Sequence, residues 1–207
     1  KKANQFLFQK RFNLITADDN SVGKSTLAKL LLWTFGCEPD FDSTWKSTDC
    51  KCLVDFSIDG TNYKILRYQN FISLKEENQE ILKYTNIGGD YSKKFAELVD
   101  FKVLLPKRGS DETELVTPPP AYYFLPFYMD QKNSWSKTWN SFGKLGQFDS
   151  WQKTVIKYHL GYLSPKHFEL EQDLSDNKRQ INELNQEVEK IGYALDVVKN
   201  HIPNNEI

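Results

Sequence analysis

Apolar and polar positions alternate from Cys50 to Asp59, with Leu53, Val54, Phe56 and Ile58 as the β-prone members. Asp59-Gly60 is a turn pair, and alternation resumes over Asn62–Gln69 around Tyr63, Ile65 and Leu66. Period-two alternation on both sides of Asp-Gly predicts a β-hairpin. Phe71–Leu74 extends it with a third strand ahead of a polar turn. Two short apolar runs read as buried strands: Phe12–Thr16, and the aromatic stretch Ala121–Met129, which closes on Asp130-Gln131. Helical patterns fall at Ser25–Phe35, ended by Gly36, and around Lys94–Val99, Trp139–Phe142 and Ser150–Tyr158. The segment 109–120 is charged, proline-rich and loop-like.

The pattern changes at Ser164-Pro165, a helix cap followed by proline at the first helical position. Apolar residues then fall at Leu170, Leu174, Ile181, Leu184, Val188, Ile191, Leu195, Val198 and Ile202. From Ile181 the spacing is 3, 4, 3, 4, 3, 4, and Asn177 fills the slot that keeps the register. This is the seam of a coiled coil over about four repeats, narrower than the stripe of a helix lying on its own domain. Pro203 is expected to stop it. The division that follows is 1–163 for a globular part and 164–207 for the root of an arm.

Charge adds little. The 207 residues carry 27 Lys and Arg against 28 Asp and Glu, a formal net charge of −1. No global basic field marks a nucleic-acid binder, although a local patch is compatible with that balance. Three cysteines, Cys37, Cys50 and Cys52, make no even disulfide framework and lack the spacing of a zinc site, so reduced thiols are expected. No run of about 18 apolar residues argues for a membrane span, and a cytoplasmic protein with no membrane partner is expected. The chain opens on Lys1 without an initiator Met and reads as a piece of something longer.

The candidate chemistry lies in Asp18-Asp19-Asn20-Ser21-Val22-Gly23-Lys24-Ser25-Thr26. Between an apolar strand and an apolar helix, it matches the phosphate-binding loop G-x-x-x-x-G-K-[ST], except that Asp18 stands at the first glycine. Gly23 lets the backbone approach phosphates, and loop and first-turn amides face the anion at the positive end of the helix. Lys24 reaches the β- and γ-phosphates, and the Ser25 hydroxyl ligates Mg²⁺. Asn20, Ser21, Val22, Gly23, Lys24, Ser25 and Thr26 are the predicted binding residues for ATP and Mg²⁺.

A phosphate loop near the start, a sheet, a glutamine after an apolar run and then heptads resemble the N-terminal half of an ATPase head of the SMC type (structural maintenance of chromosomes), within the ABC ATPases. The resemblance rests on Asn20, Gly23, Lys24, Ser25 and Thr26, and on Gln131 in Phe127-Tyr128-Met129-Asp130-Gln131. It implies an α/β fold: a P-loop head lobe of mixed β-sheet and helices, followed by one segment of an antiparallel coiled-coil arm. It implies that Gln131 is the Q-loop glutamine, with a catalytic role in sensing the γ-phosphate and helping to hold Mg²⁺. Arg67 stands where such heads often carry an arginine on a hairpin. Asp-Asp-Asn-Ser-Val-Gly-Lys-Ser, Trp33-Thr34-Phe35-Gly36-Cys37 and Asp130-Gln131 with Trp135 are also similar to the SMC-like ATPases of Lamassu-type bacterial antiphage systems.

The implied partners are a second copy of the head, a C-terminal lobe of the same protein, DNA, a nuclease-type effector and a small accessory subunit. Heads of this type grip DNA near the coil root, where Lys137, Lys144, Lys153, Lys157 and Lys166 cluster in sequence and would meet phosphates. Neither an L-S-G-G-[QE] signature nor an apolar strand ending in Asp-Glu is present. In the family these complete the site and supply the catalytic base, so hydrolysis is expected of a longer protein. The competing reading is a non-hydrolysing nucleotide-binding scaffold that assembles effector subunits through its coiled coil. A small P-loop kinase or GTPase fits less well, because heptads follow and no lid is recognisable.

Overall fold

In a computed structural model, residues 3–19, 23–109, 114–132, 134 and 139–201 are described. They form two compact units, Lys1–Thr85 and Asn86–Ile207.

The first unit is built on an antiparallel sheet in the order β1-β2-β3-β4: β1 Lys51–Ile58, β2 Thr61–Tyr68, β3 Phe71–Glu76 and β4 Ile81–Tyr84. The predicted hairpin is present, with Ile58 opposite Thr61 and Lys51 opposite Tyr68. Asp59 and Gly60 both have positive φ (48° and 85°), the conformation a tight two-residue hairpin turn requires. In this register Val54 stands beside Ile65, Ile65 beside Leu74 and Leu74 beside Leu82. Tyr63, Ile65, Ile72 and Leu74 on that face are buried, while Lys51, Asp55 and Ser57 on the other are exposed. Helix α1, Lys24–Thr34, contacts β1 and β2. Just after it Phe35 meets Phe56 edge-on at 5.1 Å, and within it Trp33 meets Trp45 of the short 3-10 turn Ser43–Ser47 at 5.5 Å.

The predicted strand Phe12–Thr16 does not form. Residues 3–19 are irregular and exposed, with Phe12 at 93% and Leu14 at 88% exposure. A strand needs a hydrogen-bonded neighbour, and among the described residues this segment has none. Strand pairs among the described residues are antiparallel, where the sequence led us to expect a mixed sheet.

The second unit holds α2 Asp90–Leu98, the two-residue ladder of β5 Leu105–Pro106 with β6 Leu115–Val116, α3 Ala121–Phe124, α4 Trp151–His159 and α5 Pro165–His201. Its core is aromatic: Tyr91, Phe95, Phe101, Tyr122, Phe142, Phe148, Trp151 and Phe168 are buried. The predicted strand at Ala121–Met129 is instead a helical turn. Tyr122 N–H donates to the Pro119 carbonyl and Tyr123 N–H to that of Pro120, so the proline run, with φ already near its helical value, launches a helix. Hydrophobicity does not separate a short buried strand from a short buried helix. Trp139–Phe142, expected as a helix, is not one: Trp139 has φ +60° and Phe142 lies in a β-bridge.

Helix α5 starts at Pro165 as the sequence indicates; the predicted stop at Pro203 and the seam residue Ile202 lie outside the described residues. Its root buries Phe168 and Ser175, while Leu170 and Leu174, on the opposite side at roughly 100° per residue, are exposed. Ile181, Leu184, Val188, Ile191, Leu195 and Val198 continue that exposed side, each more than half exposed.

Candidate functional site

Gly23 closes the loop in the left-handed conformation, φ 94° and ψ 11°, and Lys24 begins α1. The first helical bond runs from Leu27 N–H to the Gly23 carbonyl at 2.9 Å. A Cβ on Gly23 would meet nothing within 4 Å, so glycine is favoured here by backbone conformation rather than by space. The helix carries no side-chain cap bond and no acidic residue in its first turn. Its positive end is therefore not neutralised from within that turn. The Lys24 ammonium donates to the Asp19 carbonyl at 2.8 Å. Ser25 is exposed in the first turn and Thr26 is half-buried.

First-turn amides, one ammonium and one exposed hydroxyl are the kind of donor set that a phosphate chain with magnesium would require. Asp18 and Asp19 are exposed, so water and salt screen charges that would otherwise oppose an anion. Asn20, Ser21 and Val22 lie outside the described residues.

Gln131 belongs to the second unit and is exposed. It follows the α3 turn rather than a strand, and Asp130 beside it is 3% exposed. Asp130 accepts from the Tyr128 hydroxyl at 3.2 Å and from Lys132 N–H at 3.1 Å, and its carbonyl accepts from Ser134 N–H at 3.2 Å. Ser141, also buried, donates to the Tyr128 carbonyl at 2.8 Å and lies 2.9 Å from the Ser134 hydroxyl. A carboxylate-centred turn thus presents Gln131 outward. Sequence reasoning found Gln131 and passed over Asp130, although aspartate bonding the backbone two residues on is a recognisable turn former.

The same unit holds a histidine among rings. His159, the last residue of α4, lies 5.7 Å from Phe101, 6.1 Å from Phe127, 5.8 Å from Trp139 and 6.4 Å from Tyr123, centroid to centroid. Its Nε2 is 3.2 Å from the Tyr122 carbonyl, which can only accept, so Nε2 carries the proton. Burial pushes the imidazole below its ordinary pKa, and the bond to Tyr122 partly opposes this.

Arg67 lies on β2 of the predicted hairpin. It is 1% exposed, donates to the Trp33, Cys37 and Gln69 carbonyls and pairs with Glu38 at 2.5 Å. Its guanidinium holds the carbonyl-rich C-terminal end of α1 against β2. Burial drives the neighbouring Cys37 thiol well above the usual range, with Arg67 opposing in part.

Of the five lysines that the sequence clusters ahead of and at the start of α5, Lys153 and Lys157 are exposed one turn apart on α4. Lys144 is exposed with φ +62°, and Lys166 pairs with Glu169 at 3.2 Å. Lys137 lies outside the described residues. Among the described residues no helix is long and apolar enough to cross a membrane.

Two relatives share sequence with most of the chain. It is 27% identical over 192 residues to the Lamassu protein LmuB of Bacillus cereus strain VD014, covering 89% of this chain and 33% of that protein. It is 24% identical over 204 residues to the Lamassu protein LmuB of Bacillus sp. strain NCIM 5461, covering 97% of this chain and 34% of that one. The chain therefore spans about a third of the length of the curated relatives it matches. No family model and no solved structure matches it.

Proposed function

We propose, from this similarity to Lamassu proteins, that the chain is the ATP-binding N-terminal lobe of an SMC-like ATPase acting in antiphage defence. The observation that carries the nucleotide reading is local. A left-handed Gly23 opens α1 with no side-chain cap bond among the described residues, and the Lys24 ammonium bonds the Asp19 carbonyl. Phosphates would take the first-turn amides and Lys24, exchanging a carbonyl contact for a charged one. Ser25 would give its hydroxyl to magnesium, and Gln131 would sense the γ-phosphate. Most of the catalytic effect in such chemistry is positioning and charge stabilisation.

The whole protein would bring two heads together on ATP and separate them on hydrolysis, with an arm continuing from α5. The exposed seam from Leu170 to Val198 supports an arm, because an exposed apolar stripe of this length calls for a partner helix. DNA contact through Lys144, Lys153, Lys157 and Lys166 would be phosphate-directed and would weaken steeply with salt. A nuclease-type effector and an accessory subunit would complete the defence complex.

The test is Lys24→Ala in the full-length protein, with ATP affinity and turnover measured. Both should fall at least about tenfold, the loss of one charged phosphate contact. Unchanged values would remove the assignment. Asp18 in place of the loop's first glycine favours a second reading, a nucleotide-binding scaffold without turnover. Binding that depends on Lys24, with no ATP hydrolysis in the full-length protein, would select it.

A further inference from the structure

We propose that His159 is a positioning residue for Gln131, holding the chain on both sides of that glutamine and tying it to the root of α5. The proposal rests on the reading of Gln131 as a nucleotide-sensing residue. Phe127 precedes Gln131 and Trp139 follows it in the chain, and both rings meet the His159 imidazole edge-on, at 6.1 Å and 5.8 Å. One imidazole therefore staples the two flanks of the Gln131 segment to the end of α4. The ring is fixed from behind by Phe101, stacked at 5.7 Å, and by Nε2 donating to the Tyr122 carbonyl.

The staple continues into α5. Tyr158, next to His159, packs on Phe168 of α5 at 5.8 Å, and Phe168 is 1% exposed. The Tyr158 hydroxyl donates to the Asp100 carbonyl at 2.9 Å and lies within reach of Lys102 N–H, which locks its ring. Aromatic rings in contact move together more readily than they slide apart, because separation forfeits both dispersion and edge-to-face electrostatics. A shift of α5 is then felt at Phe127 and Trp139 through Phe168, Tyr158 and His159. Asp130 and Ser141 stiffen the inner turn, so the flanks are the places where displacement enters.

The experiment compares His159→Ala, His159→Phe, Gln131→Ala and the double variant His159→Ala/Gln131→Ala in the full-length protein. Trypsin cleavage after Lys132 reports the segment without reference to nucleotide, and cleavage after Lys64 in β2 is the control. His159→Ala should speed cleavage after Lys132 about tenfold and leave Lys64 unchanged, whereas His159→Phe, which keeps a ring, should stay within about twofold of the parent. In turnover, His159→Ala should lower kcat with KM for ATP unchanged, and should add no further loss in the Gln131→Ala background. Unchanged cleavage after Lys132, an equal increase at Lys64, or additive losses in the double variant would each overturn the proposal. A parent protein without ATP turnover would refute the reading of Gln131, and the cleavage comparison would still decide whether His159 holds the segment.

Discussion

The Arg67 guanidinium lies 4.3 Å from the centroid of the Trp33 ring, with the cation itself out of water. A buried cation is tolerated only when stacked, paired and hydrogen-bonded together, and Arg67 meets all three conditions through Trp33, Glu38 and three carbonyls. Arg67→Ala strands those carbonyls and Glu38, and should cost about 3–5 kcal/mol. Arg67→Lys keeps the charge and still loses stability, since an ammonium cannot reach along the same planar fork. Urea unfolding of both variants measures the order; a neutral Arg67→Ala would mean the clamp carries no stability.

Gly23→Ala places a Cβ on a left-handed residue, at roughly 1–2 kcal/mol. With nothing within 4 Å of that Cβ, conformation alone should set the cost. Gly23→Asn should cost less, because Asn tolerates left-handed φ. ATP affinity should fall in the same order, and calorimetric titration beside thermal melts would check both.

Asp130→Ala leaves the Tyr128 hydroxyl and Lys132 N–H without their acceptor. A loss of roughly 1 kcal/mol is expected for part-buried bonds broken on one side. Hydrogen exchange should rise at Lys132 and Ser134 before it rises in α4. Simultaneous acceleration in both places would contradict a local role.

Burial lowers the His159 pKa below its unfolded value. The unfolded chain therefore binds the proton more readily, and the stability that neutral His159 contributes is fully present above the ordinary imidazole pKa of about 6.5. It declines as pH falls below that point, until the depressed folded pKa is passed. Melting temperatures for the parent should drop over this window more than those of His159→Phe, which binds no proton there. Equal drops would place the pH sensitivity elsewhere.

Leu184 and Ile191 lie on the exposed seam of α5. Aspartate at both should leave the thermal transition of the globular part within about 0.5 kcal/mol, as for surface changes generally. Assembly through the arm, read by sedentation-equilibrium mass or by cross-linking of the full-length protein, should be lost. Retained assembly would show that the seam is not the contact.

Much of the architecture is legible in the residues themselves. Alternation around Asp59-Gly60 determines the hairpin, because strand period and turn chemistry are local. Gly23-Lys24-Ser25 determines the left-handed start of α1, and Ser164-Pro165 with the heptads determines α5 and its exposed seam. Tertiary packing decided the rest. Phe12–Thr16 stayed unpaired because no strand lies beside it among the described residues, whereas the helix at Ala121–Phe124 is set locally by the prolines before it, a signal that hydrophobicity hid. Arg67, read only as an arginine on a hairpin, is a buried clamp because the carbonyl end of α1 converges on β2. His159 acquired its surroundings from rings far away in sequence. Periodicity and turn propensity act over a few residues, and burial is set by whichever distant segments the fold brings alongside.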